Sequence, residues 1–97
     1  MTEHTHTTFE EFESASLALG FDEVLVREWS PLQVVPDHQH DFGVSAIVVS
    51  GEMWLTAAGE TRHLVPGDRF TLERNEPHAE RYGPDGATYW AARRTRA

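Results

Sequence analysis

Two histidines, His38 and His40, stand one residue apart, just after Pro36 and just before the apolar run that begins at Val44. In an extended strand, side chains at positions i and i+2 point to the same face, about 7 Å apart along the strand. Two imidazoles placed in this way can converge on one ion, because imidazole is a good ligand for zinc, iron, copper and nickel. For an isolated pair, however, two solvated histidines in a polar turn are the preferred interpretation.

A third histidine, His78, favours a metal site over that alternative. It stands at the end of a second turn-rich stretch, far along the chain from the first pair. The other histidines are weaker candidates. His63 lies in a charged stretch and is expected to be exposed, whereas His4 and His6 belong to a polar segment that no apolar strand follows. We predict a disordered tail for that segment, residues 1–7.

The composition limits the classes of protein to consider. The 97 residues are enough for one domain with a single modest core. Eight basic and sixteen acidic residues give a net charge of −8, which argues against a nucleic-acid partner. The absence of cysteine excludes disulfides, thiolate metal sites and a cysteine nucleophile. No segment has the character of a membrane span or a signal peptide, so we expect a cytoplasmic protein without a membrane partner.

One helix is predicted before the strands begin. Thr8 and Glu11 have the spacing of a capping box, and apolar residues recur from Phe9 at helical intervals. Gly20 stands where a left-handed C-cap belongs. The pattern predicts a short amphipathic helix over residues 9–19 that packs against the outside of the domain.

After the helix, short apolar runs alternate with turns that contain glycine and proline, which is typical of an all-β sandwich or barrel. We predict a β-barrel over residues 23–92, within a single domain that spans residues 1–97. The predicted strands are Glu23–Trp29, Gln33–Val35, Val44–Ser50, Met53–Ala57, Thr61–Leu64, Arg69–Leu72, His78–Tyr82 and Thr88–Ala92.

Two features are assigned to the surface of this barrel. Strand alternation leaves Ile47, Val49 and Trp54, with several N-terminal aromatic residues, for the outer faces. Exposed apolar side chains commonly mark interfaces, so we predict a homodimer. The basic run at residues 93–96 is short and terminal, and we interpret it as a solvated end rather than an anion site.

The histidine pair is part of a longer pattern that resembles the first motif of the cupin family of small β-barrels. That motif reads HxH, three or four residues, Glu, six residues and Gly. This sequence has His38-Gln39-His40, three residues, Val44, six residues and Gly51. The metal-binding glutamate of the family therefore falls on Val44, which cannot bind a metal.

The third histidine falls in a pattern that resembles the second cupin motif. The family reads Gly, five residues, PxG, two residues, His, three residues and Asn. This sequence has Gly67, five residues, Glu73-Arg74-Asn75, two residues, His78, three residues and Tyr82. Asn75 replaces the glycine of PxG, and asparagine is the non-glycine residue that best tolerates the left-handed conformation. The resemblance covers residues 24–92 and is closest to compact bacterial members.

The resemblance implies a double-stranded β-helix, the jelly-roll barrel of the cupins. It also implies one divalent transition metal ion (Zn, Fe, Ni, Mn or Cu), with His38, His40 and His78 as the remaining ligands. Strand alternation places Glu80 and Tyr82 beside His78. Glu80 is a candidate replacement for the lost carboxylate or a general base, unless it is solvated. Tyr82 is a candidate hydrogen-bond donor to a substrate, unless it only lines the barrel.

Two functions from different classes remain open. The first is a small metal-dependent enzyme, similar to an oxygenase or an isomerase, that acts on a small organic molecule. The second is a non-catalytic cupin that binds a small ligand or serves as a sensor domain, with a structural metal or none. Val44 in place of the glutamate favours the second function, whereas three retained histidines favour a bound metal in both. Nucleophile-elbow and phosphate-loop motifs are absent from the sequence.

Overall fold

The computed structural model describes residues 8–95. The residues 1–7 of the predicted tail, with His4 and His6, lie outside the described residues. No helix within the described part of the chain is long and apolar enough to cross a membrane. The elements, in chain order, are helix α1 Phe9–Ala18 and strands β1 Glu23–Trp29, β2 Val34–His38, β3 Gly43–Ala57, β4 Glu60–Leu64, β5 Arg69–Leu72 and β6 His78–Arg94.

Helix α1 begins where its capping box predicts. The Thr8 hydroxyl accepts a hydrogen bond of 3.1 Å from the backbone N–H of Glu11, whose carboxylate accepts one of 2.9 Å from the N–H of Thr8. These bonds satisfy two backbone donors that a helix N-terminus leaves unpaired. The helix ends at Ala18, one residue before the predicted end, and Gly20 follows with a φ of +97°.

The long strands β3 and β6 lie at the centre of the sheet. The sequence-based prediction divided each of them in two, and this was wrong, because the backbone bends at these points instead of reversing. Between Gly51 and Met53 of β3 the register shifts, and residues 83–86 of β6 bulge out opposite. Gly51 has a φ of +75°, and an added Cβ would lie 2.1 Å from the carbonyl oxygen of Gly86. Only glycine fits this bend.

The shorter strands pair with different halves of β3 and β6, and this folds the sheet into two layers. In the first layer, β1 pairs with the C-terminal half of β6, and β5 pairs with the N-terminal half of β3. In the second layer, β2 pairs with the N-terminal half of β6, and β4 pairs with the C-terminal half of β3. All these pairs are antiparallel. The result is the predicted all-β jelly-roll barrel with one short helix.

The main core lies between the two layers, and a smaller cluster lies outside the first layer. In the smaller cluster, Phe12 of α1 packs with Ile47 and Ala92. Burial of a phenylalanine in this way stabilises the fold by about 1.5–3 kcal/mol. Ile47 is therefore only 8% exposed. The prediction that it is free for a dimer contact was wrong, because the helix of the same chain covers it.

Candidate metal centre

Strand pairing brings His38 and His78 together. His38 is the last residue of β2, His78 is the first residue of β6, and the two are direct partners in the antiparallel register. Their ring centres are 4.2 Å apart. The side chain of His78 is 1% exposed and that of His38 is 29% exposed, so the pair runs from the interior of the barrel to its rim.

His40 reaches the same place from the connection between β2 and β3. Both first-motif histidines stand just before the apolar run at Val44, but His38 belongs to β2 and His40 lies between the strands, because β3 begins only at Gly43. The backbone N–H of Asn75 donates a hydrogen bond of 2.6 Å to the carbonyl oxygen of His40. Asn75 has a φ of +63°, the left-handed conformation that the sequence predicted for it. The turn of the second motif therefore holds the loop of the first motif.

The three histidines form one cluster. One nitrogen from each of His38, His40 and His78 can be chosen so that all three atoms lie within 4.8 Å of one another. His63 lies elsewhere, on the surface. Its Nε2 is 2.6 Å from the carboxylate of Glu52, and its ring stacks on a tryptophan of β3.

Backbone carbonyls set the tautomers of two of these histidines. Nδ1 of His38 lies 2.9 Å from the carbonyl oxygen of Pro36, and Nδ1 of His78 lies 2.9 Å from that of Glu76. A carbonyl oxygen only accepts hydrogen bonds, so Nδ1 carries a proton, and in the neutral ring the lone pair is then on Nε2. Nε2 of His78 is buried and has no hydrogen-bond partner among the described residues. Hydrogen bonds of this kind, to the ring nitrogen that does not bind the ion, orient histidine ligands in metal sites.

Glu80 brings a carboxylate to the histidine cluster. It is 6% exposed, and its Oε2 lies 3.4 Å from Nε2 of His78 and 3.7 Å from Nε2 of His38. Ligand atoms about 2.1 Å from a tetrahedral ion are separated by about 3.4 Å, so these spacings fit such a site. The hydroxyl of Tyr82 donates a hydrogen bond to the other oxygen of this carboxylate. Glu80 is therefore not solvated, and Tyr82 contacts it directly.

Burial controls the protonation of the polar groups around the cluster. The pKa of His40 is lowered, first by burial and then by the positive charges that His38 and His78 carry when they are protonated. His40 thus favours the neutral form that binds metals. Burial also raises the pKa values of Tyr82 and Tyr89, and the charge of Glu80 adds to both shifts. Both phenols therefore remain protonated and able to donate hydrogen bonds.

A cavity of about 60 Å³ adjoins the cluster, and Val44 and Glu80 line it together with the three histidines. Arg27, Trp29 and Tyr89 also line its wall, and no motif or spacing in the sequence marked them as residues of the site. Arg93 also lines the cavity, stacks on Phe42 with its guanidinium carbon 4.6 Å from the ring centre, and pairs with Glu23. The interpretation of Arg93 as part of a solvated end was therefore wrong.

Known proteins share this fold. The cupin domain of Cnp3 from Schizosaccharomyces pombe superposes with a TM-score of 0.69 at 16% identity, over 78% of this chain and 57% of that chain. The polyketide cyclase RemF from Streptomyces resistomycificus gives 0.63 at 26% identity, over 82% and 60%. The DMSP lyase DddQ from Ruegeria pomeroyi DSS-3 gives 0.68 at 25% identity, over 73% of this chain but 36% of that chain.

The sequence comparisons agree with the fold. No curated protein sequence gives a significant match. The model of one family, described as the AraC-like ligand binding domain, matches residues 21–93, which is most of the chain. This family has a cupin-type fold. With two antiparallel layers, a cluster of histidines inside the barrel and this match, the chain belongs to the AraC-like ligand-binding domains.

Proposed function

We propose that this chain binds one divalent transition metal ion through His38, His40, His78 and Glu80, and binds a small organic molecule in the adjoining cavity. The single observation that carries the proposal is the buried Nε2 of His78, which has no hydrogen-bond partner among residues 8–95 and lies 3.4 Å from a carboxylate oxygen. A bound divalent ion would satisfy both atoms. When bound, such an ion supplies Lewis acidity toward an oxygen of the ligand.

Glu80 takes over the role of the carboxylate that the cupin motif has at Val44. Both residues line the cavity, but they approach it from different strands, β3 for Val44 and β6 for Glu80. Tyr82 holds the Glu80 carboxylate through its hydroxyl and is itself stacked on Trp29, with ring centres 5.1 Å apart. We therefore assign Glu80 as a ligand and Tyr82 as the residue that positions it.

The cavity favours a small ligand. A volume of about 60 Å³ has room for a few water molecules or a small organic group, since one water needs about 10–15 Å³ on this measure. Phe70 and Leu72 line part of the wall, so an apolar portion of the ligand is accommodated next to the polar cluster.

A second candidate function is ligand binding without catalysis, as in a sensor domain. The specific observation that favours it is the family match, since that family is described by ligand binding. The other candidate function is that of a metal-dependent enzyme. It is favoured by the solved neighbours RemF and DddQ, which are described as a cyclase and a lyase. Both functions use the same metal centre and cavity.

The first experiment is metal analysis of protein purified without a histidine tag. We expect about one zinc, iron, nickel, manganese or copper ion per chain, removable by a chelator and restored by titration. A protein that neither contains nor takes up such an ion would overturn the proposed metal centre. A screen of the loaded protein for O₂ uptake and for conversion of small organic substrates then separates an enzyme from a binding domain.

A further inference from the structure

Arg27 is an arginine on the inner face of the barrel. It lies on β1 directly opposite Tyr89 of β6, and residues that face each other in this way share one side of the sheet. Tyr89 is buried, and both residues line the cavity that adjoins the histidine cluster. The guanidinium carbon of Arg27 lies 4.9 Å from the centre of the Trp29 ring, on the same wall. A positive charge therefore lies in the ligand cavity.

No carboxylate balances the charge of Arg27 within the described residues. Among residues 8–95, no carboxylate oxygen lies within 4.0 Å of its guanidinium nitrogens. Arg93, which also lines the cavity, differs in this respect because Glu23 lies 3.3 Å from it. Arginine cannot lose its proton under ordinary conditions, so partial burial without a counterion is unfavourable unless an anion binds.

Trp29 offers a second donor next to Arg27. Its indole Nε1 is buried and lies near the Tyr89 hydroxyl, without the geometry of a full hydrogen bond to any described residue. A carboxylate accepts two parallel hydrogen bonds from the fork of a guanidinium group and can accept others from nearby N–H donors. A bound divalent ion would bring two positive charges to the cavity, in addition to the one of Arg27. Glu80 supplies one negative charge, so the cavity would have a net charge of +2.

We infer that the ligand of this cavity is a small carboxylate, held by the guanidinium group of Arg27 and the indole N–H of Trp29. The rest of the molecule extends toward the histidine cluster. The inference rests on the proposed function for the position of the ion, whereas the anion site itself depends on Arg27. A neutral molecule of the same shape has no negative charge to pair with Arg27, so it should bind more weakly.

The test is a titration of the zinc-loaded and metal-free protein with acetate, propionate and benzoate, and with the matching neutral amides. Calorimetry measures affinity, and tryptophan fluorescence reports on Trp29. We expect the carboxylates to bind in the millimolar range or tighter, and the amides to bind more weakly. Arg27→Met should weaken carboxylate binding about 10- to 100-fold, the value of a charge-assisted hydrogen bond, and Arg27→Lys should have a smaller effect.

Arg81 provides a matched control. It also stacks on a tryptophan, with its guanidinium carbon 4.2 Å from the Trp54 ring centre, but it is exposed and does not line the cavity. Arg81→Met should bind the carboxylates as the parent does. Equal binding by the parent and Arg27→Met, equal binding of acids and amides, or no carboxylate binding by the folded parent would overturn the inference. If Arg27→Met does not fold, Arg27→Lys and the comparison of acids with amides decide.

The same samples separate this inference from the proposed metal centre. Zinc content should be equal in the parent and in Arg27→Met, because Arg27 is not among the proposed ligands. A parent that takes up no zinc would overturn the metal centre, while carboxylate binding by the metal-free protein would still test Arg27. A parent that binds zinc normally but no carboxylate would overturn only the anion site.

Discussion

Oε2 of Glu80 lies 3.4 Å from Nε2 of His78, and no hydrogen bond joins the two atoms. In the neutral ring of His78, with its proton on Nδ1 facing the Glu76 carbonyl, Nε2 and the Glu80 oxygen are both acceptors. Two acceptors that face each other in a buried site repel unless a proton or a metal ion lies between them. This relationship is the physical reason to expect a cation in the barrel, although Val44 stands at the motif's glutamate position.

The three clustered histidines should each be required for metal binding. Replacement of His38, His40 or His78 by alanine leaves an open position, so we expect metal affinity to fall sharply in each variant, at least about tenfold. The measurement is a zinc titration with a competing chelator. The matched control is a triple alanine variant at His4, His6 and His63, which should bind one ion as the parent does. Loss of the ion in the control, with retention in His78→Ala, would place the site elsewhere.

Glu80→Gln should change stability and metal affinity in opposite directions. In the metal-free protein, an amide can donate a hydrogen bond to Nε2 of His78, so we expect the free energy of unfolding to rise by about 1 kcal/mol. In the loaded protein, the loss of a charged ligand should lower zinc affinity at least about tenfold. Thermal melts with and without zinc measure both effects. Glu52→Gln, at the surface glutamate that pairs with His63, should leave zinc affinity unchanged.

If Glu80→Gln binds zinc as tightly as the parent, Glu80 is not a ligand and the site has three histidines only. If the metal-free variant is less stable than the parent, a proton lies between Glu80 and His78 in the metal-free state. The two measurements therefore test the ligand role and the facing acceptors separately.

The sequence predicted those parts of the site that depend on local spacing. Motif spacing identified His38, His40 and His78, and turn chemistry predicted the left-handed conformation of Asn75. The contact of Glu80 with the first histidine could not be predicted, because it depends on the register between β2 and β6. Strand alternation predicted which face of β6 carries Glu80, but it did not predict which residue of another strand Glu80 contacts.

Strand β1 shows why the anion site was missed. A half-buried strand normally alternates between apolar and polar residues, and this alternation shows which face is inside. In β1, however, Val24 on the outer face packs in the cluster that α1 covers, while Arg27 on the inner face is charged. The sequence pattern therefore did not show which face of β1 points into the barrel. The pairing of Arg27 with the buried Tyr89 shows that Arg27 is on the inner face.

Tyr82→Phe should weaken metal binding with a moderate cost in stability. The ring stacks on Trp29, and phenylalanine keeps that packing, but the Glu80 carboxylate loses the donor that orients it. We expect zinc affinity to fall about 10- to 100-fold, as when other groups that hydrogen-bond to a metal ligand are removed. The buried acceptor left unpaired should lower the free energy of unfolding by about 1–3 kcal/mol. Isothermal titration and thermal melts measure these effects, and an unchanged zinc affinity would remove the positioning role of Tyr82.

We propose that two copies of the chain pair through the outer face of the second layer. One row of paired residues crosses the four strands of this face in the order Val34, Arg81, Trp54 and His63. Val34, at the end of the row, is 69% exposed. Sedimentation at about 50 μM should show a dimer, and Val34→Glu should shift it toward monomer. The control, Val26→Glu on the outer face of β1, should remain dimeric. A monomeric parent would contradict the proposal.

The last prediction returns the carboxylate to the position at which the cupin motif has it. Val44 lines the cavity, packs against the core, and is the direct partner of Arg93 on β6. In the metal-free protein, Val44→Glu buries an acid in a largely apolar wall, so we expect a loss of about 1–3 kcal/mol, reduced where Arg93 pairs with the new carboxylate. Zinc should recover much of this loss, because the carboxylate would lie near the ion.

Combination with Glu80→Gln makes the test specific to the position of the carboxylate. If the metal centre needs one carboxylate and accepts it from either strand, the double variant Val44→Glu/Glu80→Gln should bind zinc more tightly than Glu80→Gln alone, with an affinity near that of the parent. Val44→Gln in the same background is the control for size and polarity and should restore little. Thermal melts and zinc titrations measure these effects on the two single variants, Val44→Glu and Glu80→Gln, and on the two double variants. Equal zinc affinity with glutamate and glutamine at position 44 would mean that this side chain does not reach the ion, and that the carboxylate of this metal centre cannot be moved between β3 and β6.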